Sequence, residues 1–261
     1  MLTPAPVVAP MVIPLGDHNP TRIRPWATWA LIALNLWAFI GVQPWDASEC
    51  AQQAFYLRWA AVPAELTRGE PLDQAEVAAA SDAVCQVQAM PGKPVYLTIL
   101  TSMFLHAGWL HLLGNMLYLW IFGNNIEDRL GHVRFLLFYL AAGLVATVAF
   151  VAPNADNIST LVGASGAIAG VLGAYLVLFP RAHVTVAVPF LLFFITRLPA
   201  FLVLGLWFLL QVQGLREPLL EGGGVAYLAH AGGFVFGMAA ALLLRSGSGS
   251  GGGRPARSRR G

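Results

Sequence analysis

Four polar side chains lie within long apolar runs of this sequence, where polar groups cost free energy and are therefore candidates for function. Ser165 lies four residues into one run, and His230 and His111 each lie five residues into two others. Asn115 follows His111 by one helical turn, so the two side chains share a helix face. If the three runs are parallel helices, a rise of 1.5 Å per residue brings Ser165, His230 and His111 to about 6–8 Å below one membrane surface, with Asn115 one turn deeper.

A serine and a histidine at one depth predict nucleophilic catalysis. Serine becomes a nucleophile when a neighbouring base takes its proton, and His230 is the base available at the depth of Ser165. The resulting oxyanion needs hydrogen-bond donors, which His111, Asn115 and the Ser165 backbone N–H near a helix start can supply. No Asp or Glu occurs in any apolar run, so the prediction is a dyad without an acidic third member.

Small residues at four-residue spacing accompany both members of this dyad. Proton transfer requires the serine and the histidine to approach within about 3 Å, and in membranes small residues allow such close backbone contact. The helix-packing candidates are Gly166 and Gly170 beside the serine, and Gly233 and Gly237 beside the histidine.

Composition indicates the elements that must position these residues. The chain is 57% hydrophobic and 11% charged, whereas globular proteins average about a quarter charged residues. We therefore predict an integral, all-α polytopic membrane protein, a bundle of six transmembrane helices. The six apolar runs are 26–42, 106–122, 135–152, 161–179, 198–212 and 225–244. The first 24 residues lack the pattern of a cleavable signal peptide, so the first run is expected to be an uncleaved anchor.

The distribution of basic residues predicts the orientation. Of the 15 Lys and Arg residues, eleven fall on the side that holds both termini and four on the other, which makes both termini cytoplasmic. The candidate site then opens to the outer face. A bacterial cytoplasmic membrane is the expected location, with an organellar membrane as the alternative.

Three regions complete the predicted domain organisation. Residues 1–23 are proline-rich and expected to be irregular, residues 24–245 form the membrane domain, and the Gly/Arg-rich tail 246–261 is expected to be disordered. Within the membrane domain, the long outer loop 43–100 is expected to be structured or to skim the membrane. Its two cysteines, Cys50 and Cys85, form either a disulfide or two free thiols. The apolar stretch 184–195, which Pro189 interrupts, is expected to lie along the interface.

These motifs together resemble the rhomboid family of intramembrane serine proteases over roughly residues 90–244. The resemblance rests on HLLGN (His111, Asn115), GASGAIAG (Ser165), AHAGGFVFG (His230) and GNNIEDRLG, which fits G-x-x-x-E-x-x-x-G through Gly123, Glu127 and Gly131. It implies that Ser165 is the nucleophile, His230 the general base, and His111 and Asn115 the oxyanion-side residues. Glu127 would be structural, holding helix ends through hydrogen bonds, and His106 would pack rather than react.

One departure from the family pattern concerns the support of the histidine. Some members carry an aromatic residue four positions after the serine, beneath the catalytic imidazole, whereas this chain has Ala169. Other neighbours must then orient the ring of His230.

The predicted function is hydrolysis of peptide bonds in or near transmembrane segments of single-pass or polytopic membrane proteins, within the lipid bilayer and without a metal or cofactor. A non-catalytic relative that binds client helices would lack the serine or the histidine, and this chain has both. A small-solute transporter would carry charged groups near mid-membrane. Clustered histidines can also bind haem or metal, but His132 and His183 fall on the cytoplasmic side. No basic run with interleaved aromatics points to nucleic acid.

Overall fold

The structure is a computed structural model that describes residues 13–44, 46–188, 194–215 and 226–247, and it is mostly helical within them. Each of the six apolar runs contains a helix. The described helices are α1 (Trp26–Trp37), α2 (Glu49–Trp59), α3 (Pro63–Arg68), α4 (Gln74–Ala80), α5 (Thr98–Thr101), α6 (Trp109–Tyr118), α7 (Asn124–Leu130), α8 (His132–Val151), α9 (Ser165–Leu178), α10 (Ala200–Gly214) and α11 (Tyr227–Gly247). Wider helical turns extend α1 to Val42 and join α6 to α7 without a break.

Helix lengths bear on the number of membrane spans. Among the described residues, two helices are long and apolar enough to cross a membrane, over 132–154 and 227–245. A third candidate is the pair 95–104 and 109–130, which is bent by 79°. Helix α9 has 14 residues and covers about 21 Å at 1.5 Å per residue, less than the ~30 Å hydrocarbon core. Six full spans therefore stay a prediction, whereas the helical bundle is observed.

Two helices begin later than their apolar runs. Helix α9 begins at Ser165 itself, because Gly163 has a φ of +123° and Leu161 forms an isolated antiparallel bridge with Ala61. The serine is thus the first residue of its helix rather than a residue one turn inside it. Helix α6 begins at Trp109, so His106 precedes it. Val225, the predicted start of the sixth run, lies outside the described residues.

Helix α9 lies at the centre of the bundle. Every residue from Gly166 to Tyr175 is buried, with α8 and α11 packed against it. The absence of any polar face on α9 matches this enclosed position, since a helix that is apolar all round is buried or spans a membrane.

A three-stranded antiparallel sheet, which the sequence did not predict, lies near the C-terminal part of α9. Its strands, in the order β1-β2-β3, are β1 (Ile13–Asp17), β2 (His183–Val188) and β3 (Phe194–Pro199). Asp17 ties it to the bundle by accepting hydrogen bonds from Tyr175 Oη and Asn125 Nδ2. The expectation of an irregular segment over 1–23 is therefore wrong for residues 13–17. The described parts of 184–195 form strands, and its Pro189 lies outside the described residues.

The long loop folds into a small helical unit with its own apolar cluster. Leu57, Leu72 and Val77 are buried in this cluster, and a disulfide joins Cys50 to Cys85. The structure thus contains the disulfide rather than two free thiols. The predicted disordered tail 246–261 lies outside the described residues except for residues 246 and 247, which end α11.

Candidate active site

Ser165 and His230 meet across two helices, although 65 residues separate them in the chain. Ser165 is the first residue of α9, and His230 lies in the first turn of α11. The distance from Ser165 Oγ to His230 Nε2 is 2.7 Å, which is the geometry expected of a nucleophile and its base. The structure therefore brings together the two residues whose chemistry the sequence pairs.

Glycines make this approach possible. A Cβ atom on Gly233 would lie 2.1 Å from the carbonyl oxygen of Gly166, and one on Gly237 would lie 1.9 Å from that of Gly170. Both distances are far below van der Waals contact, so α9 and α11 pack backbone to backbone. Gly166 and Gly170 direct their own α-hydrogens at α8, where a Cβ would meet Ala146 at 2.6 Å and Ala142 at 2.5 Å, respectively.

Gly173 is a third close contact between these helices and was not among the predicted packing residues. A Cβ on it would lie 2.0 Å from the carbonyl oxygen of Phe234. The four-residue spacing of the predicted glycines does not include this position, which lies three residues after Gly170.

The start of α9 also shapes the surroundings of the serine. The first N–H groups of a helix have no helical acceptor, and the helix dipole adds partial positive charge there. Just before the helix, the Gly163 N–H donates to the carbonyl of Ser102 at 2.9 Å. The backbone that precedes the serine is thus held in place.

His111 and Asn115 approach the same place from α6. A Cβ on Gly163 would lie 2.9 Å from His111 Nε2 and 3.5 Å from Ser165 Oγ, so the His111 ring and the serine hydroxyl flank one point of the backbone. Asn115 is 8% exposed, and its Nδ2 has no hydrogen-bond partner among the described residues. A buried amide donor without a partner costs free energy, and an oxyanion would satisfy it.

A small cavity adjoins the serine. It is lined by Ser102, Met103, Gly143, Thr147, Gly163 and Ser165, among others. Its volume of about 20 Å³ for a water-sized sphere is enough for one water molecule. Hydroxyls and backbone groups in its wall can bind such a molecule next to Ser165.

Two residues of α10 that were not predicted from the sequence contact the histidine. The His230 Nδ1 atom lies 2.7 Å from Gln211 Oε1, and the Trp207 ring lies 6.0 Å from the imidazole, centroid to centroid. Gln211 was detectable, because it is a strongly polar side chain inside an apolar run. With Ala169 in place of an aromatic residue, these two neighbours from α10 contact the ring instead.

Glu127 is fully buried and joins α7 to the start of α1. Its carboxylate accepts hydrogen bonds from the backbone N–H groups of Ala27 at 2.8 Å and Thr28 at 2.7 Å, and from the Thr28 hydroxyl at 2.6 Å. His132 Nδ1 lies 2.5 Å from Glu127 Oε1, the oxygen that also accepts from the Ala27 N–H. His106 is buried as well, and its ring packs edge-on against His111 at 5.1 Å.

Comparison with known proteins assigns the chain to a family. The Rhomboid domain family matches residues 93–247, which is more than half of the chain. The chain belongs to the rhomboid family. It is accordingly an integral membrane protein, and the matched region contains all the candidate site residues.

Individual relatives align over shorter stretches. The putative rhomboid protease YdcA of Bacillus subtilis is 40% identical over 79 residues, 30% of this chain and 39% of the relative. Rhomboid protease GluP of the same organism is 47% identical over 79 residues, covering 30% of this chain and 15% of the relative. Rhomboid protein 1, mitochondrial, of Saccharomyces cerevisiae is 32% identical over 156 residues, 54% of this chain and 40% of the relative.

This rhomboid spans well under half the length of each of these relatives. The relatives include both bacterial and mitochondrial proteins, so family membership alone does not assign the chain to a bacterial membrane.

Proposed function

We propose that this rhomboid is an intramembrane serine endopeptidase that hydrolyses peptide bonds in or near transmembrane segments of other membrane proteins. The observation that carries the proposal is the 2.7 Å contact between Ser165 Oγ and His230 Nε2 inside an apolar bundle. Membership of a family that includes named proteases supports it.

In the proposed reaction, Ser165 is the nucleophile and His230 is the general base and acid. Ser165 Oγ attacks the scissile carbonyl carbon while its proton passes to His230 Nε2, which gives a tetrahedral intermediate. The carbon–nitrogen bond then breaks, and the imidazolium donates the proton to the leaving amine. Water attacks the resulting acyl-serine ester with His230 again acting as base, which releases the new carboxyl end and restores the hydroxyl.

The negative charge on the intermediate needs donors that are already in place. The N–H groups of the first turn of α9, the unpaired Asn115 Nδ2 and the neighbouring His111 ring are the candidates. Because these groups lie in a low-dielectric site, each hydrogen bond to the oxyanion contributes more than it would in water. We assign Glu127, by contrast, to holding α7 against α1.

Hydrolysis inside a membrane requires access for water and for an extended substrate. A peptide bond within a helix is shielded by its own hydrogen bonds, so the substrate segment must unwind before cleavage. In the proposed orientation, both termini are cytoplasmic and the site opens to the outer face of a bacterial cytoplasmic membrane, from which water reaches Ser165. No metal or cofactor enters the proposed reaction.

Labelling of purified, lipid-reconstituted protein with a fluorophosphonate probe tests the proposal. Wild type is expected to be labelled, and Ser165→Ala and His230→Ala are expected to lose labelling. Matched controls are Ser159→Ala and His183→Ala, which change exposed residues and should keep the wild-type rate. Labelling of Ser165→Ala would show that the nucleophile is wrong. A folded wild type that neither reacts nor cleaves a transmembrane substrate would favour the non-catalytic, client-binding function.

A further inference from the structure

Gln211 makes a direct contact with the side of His230 that faces away from the serine. Its Oε1 lies 2.7 Å from His230 Nδ1, while Nε2 of the same imidazole lies 2.7 Å from Ser165 Oγ. We propose that Gln211 is a positioning residue that fixes the tautomer and the ring orientation of His230. This inference rests on the proposed function, because it concerns the same dyad.

The direction of the hydrogen bonds follows from the backbone of α10. Gln211 Nε2 lies 3.4 Å from the carbonyl oxygen of Trp207, and a carbonyl oxygen can only accept. The amide therefore presents its NH₂ group to Trp207 and its oxygen to His230. Because that oxygen is an acceptor, Nδ1 of a neutral imidazole must carry the hydrogen. The lone pair is then on Nε2, where it can accept the proton of Ser165.

The opposite tautomer would be inactive as a base toward the serine. With the hydrogen on Nε2, the imidazole would donate to Ser165 Oγ and could not take its proton. A backbone carbonyl on α10 thus sets the direction of a chain of hydrogen bonds that ends at the nucleophile. In soluble serine hydrolases a buried carboxylate performs this orienting task.

An amide suits this site better than a carboxylate. A charged side chain within a bilayer costs several kcal/mol unless it is paired, and among the described residues no acidic group contacts His230. The amide oxygen supplies the same acceptor without net charge. Trp207, one turn before Gln211 on α10, flanks the imidazole of His230 and stacks on Phe234 of α11 at 5.8 Å. Helix α10 therefore contacts the imidazole twice, through Gln211 at Nδ1 and through the neighbouring Trp207 ring.

Substitution of Gln211 by a residue of similar length tests the assignment. Gln211→Met removes the acceptor, Gln211→Glu keeps an acceptor oxygen at the same distance, and Gln213→Met is the control on an exposed position of the same helix. For Gln211→Met we expect kcat on a transmembrane substrate to fall about 10- to 100-fold with little change in KM. This range lies between the effect of one neutral hydrogen bond and the roughly 10⁴-fold effect of losing the carboxylate in a soluble triad.

A spectroscopic measurement separates positioning from a purely structural role. In full-length protein labelled with ¹⁵N-histidine, wild-type His230 should show a protonated Nδ1 and an unprotonated Nε2 at a pH where it is neutral. We expect Gln211→Met to lose this pattern and Gln211→Glu to keep it and to retain more activity than Gln211→Met.

Two outcomes would overturn the inference. One is wild-type kcat in folded Gln211→Met, and the other is a Gln211→Met protein whose tautomer pattern is unchanged. Both leave the proposed function intact as long as Ser165→Ala is inactive. Activity in Ser165→Ala, by contrast, would refute the proposed function itself.

Discussion

Gly233 offers the most direct test of the link between helix packing and the dyad. A Cβ at this position would lie 2.1 Å from the Gly166 carbonyl oxygen, whereas real Cβ contacts essentially never fall below 3.0 Å. The substitution Gly233→Ala therefore requires α11 to move away from α9 by about 1 Å. The clashing atom is backbone, so no side-chain rotation can relieve it.

This displacement acts at the dyad itself. Gly166 adjoins Ser165, and Gly233 lies three residues after His230 in the same helix. A shift of about 1 Å would lengthen the 2.7 Å contact to roughly 3.7 Å, beyond hydrogen-bond distance. Since a misplacement of about 1 Å can cost about 100-fold in rate, we expect fluorophosphonate labelling of Gly233→Ala to slow by roughly that factor.

Two further glycines separate this effect from general destabilisation. Gly237→Ala creates a clash of 1.9 Å with Gly170 but lies one turn farther from the dyad. Both variants should lose about 1–3 kcal/mol of stability from overpacking, and labelling should slow more in Gly233→Ala. Gly205→Ala is the control and should be as active as wild type, because a Cβ there meets no atom of the described residues within 4 Å. Wild-type labelling by Gly233→Ala would refute the argument that this contact sets the dyad distance.

Three other predictions concern stability and can be measured by thermal unfolding in detergent. The Cys50–Cys85 disulfide closes a separation of 35 residues, so its reduction should cost the loop unit about 3–4 kcal/mol of stability. The control is a Cys50→Ser/Cys85→Ser variant, whose melting temperature should not respond to reductant. Glu127→Gln replaces one of the two acceptor oxygens with an NH₂ donor, which cannot accept from a backbone N–H. It should cost about 1.5–3 kcal/mol of stability, and an unchanged melting temperature would contradict the bridging role of Glu127. Burial lowers the pKa of Lys93 despite its pairing with Glu65 at 2.5 Å. Lys93→Met leaves the buried Glu65 carboxylate unpaired and should cost about 3–5 kcal/mol of stability, whereas Lys93→Met/Glu65→Leu removes both charges and should cost much less.

Several features of the site could be predicted because they depend on helix periodicity alone. His111 and Asn115 share a face at i and i+4, and glycines at four-residue spacing identify the face of α11 that meets α9. Equal depth in parallel helices then pairs the serine with the histidine without knowledge of the loops. The contact distances are the part that required coordinates.

Other features depend on contacts that periodicity does not encode. The sheet pairs β1 with β2, whose partners Ile13 and Ala187 lie far apart in the sequence, and prolines obscure the strand pattern of the N-terminal segment. The late start of α9 has the same origin. An apolar run favours a helix from Leu161 onward, but hydrogen bonds to distant residues keep 161–163 out of the helix.

These distant bonds connect the loop unit to the segment that precedes Ser165. The Leu161 N–H donates to the Ala61 carbonyl at 2.7 Å, and the Ala64 N–H donates to the Asn157 carbonyl at 3.0 Å, so the loop unit holds the segment that leads into Ser165. On the other side of the pair, Gln211 of α10 contacts His230 Nδ1, the ring nitrogen that faces away from Ser165. We expect the distance between Ser165 Oγ and His230 Nε2 to depend on packing between α9 and α11, on the loop unit before the serine and on α10 behind the histidine. Under the proposed function, a change in any of the three should alter the rate of hydrolysis although Ser165 and His230 themselves are unchanged.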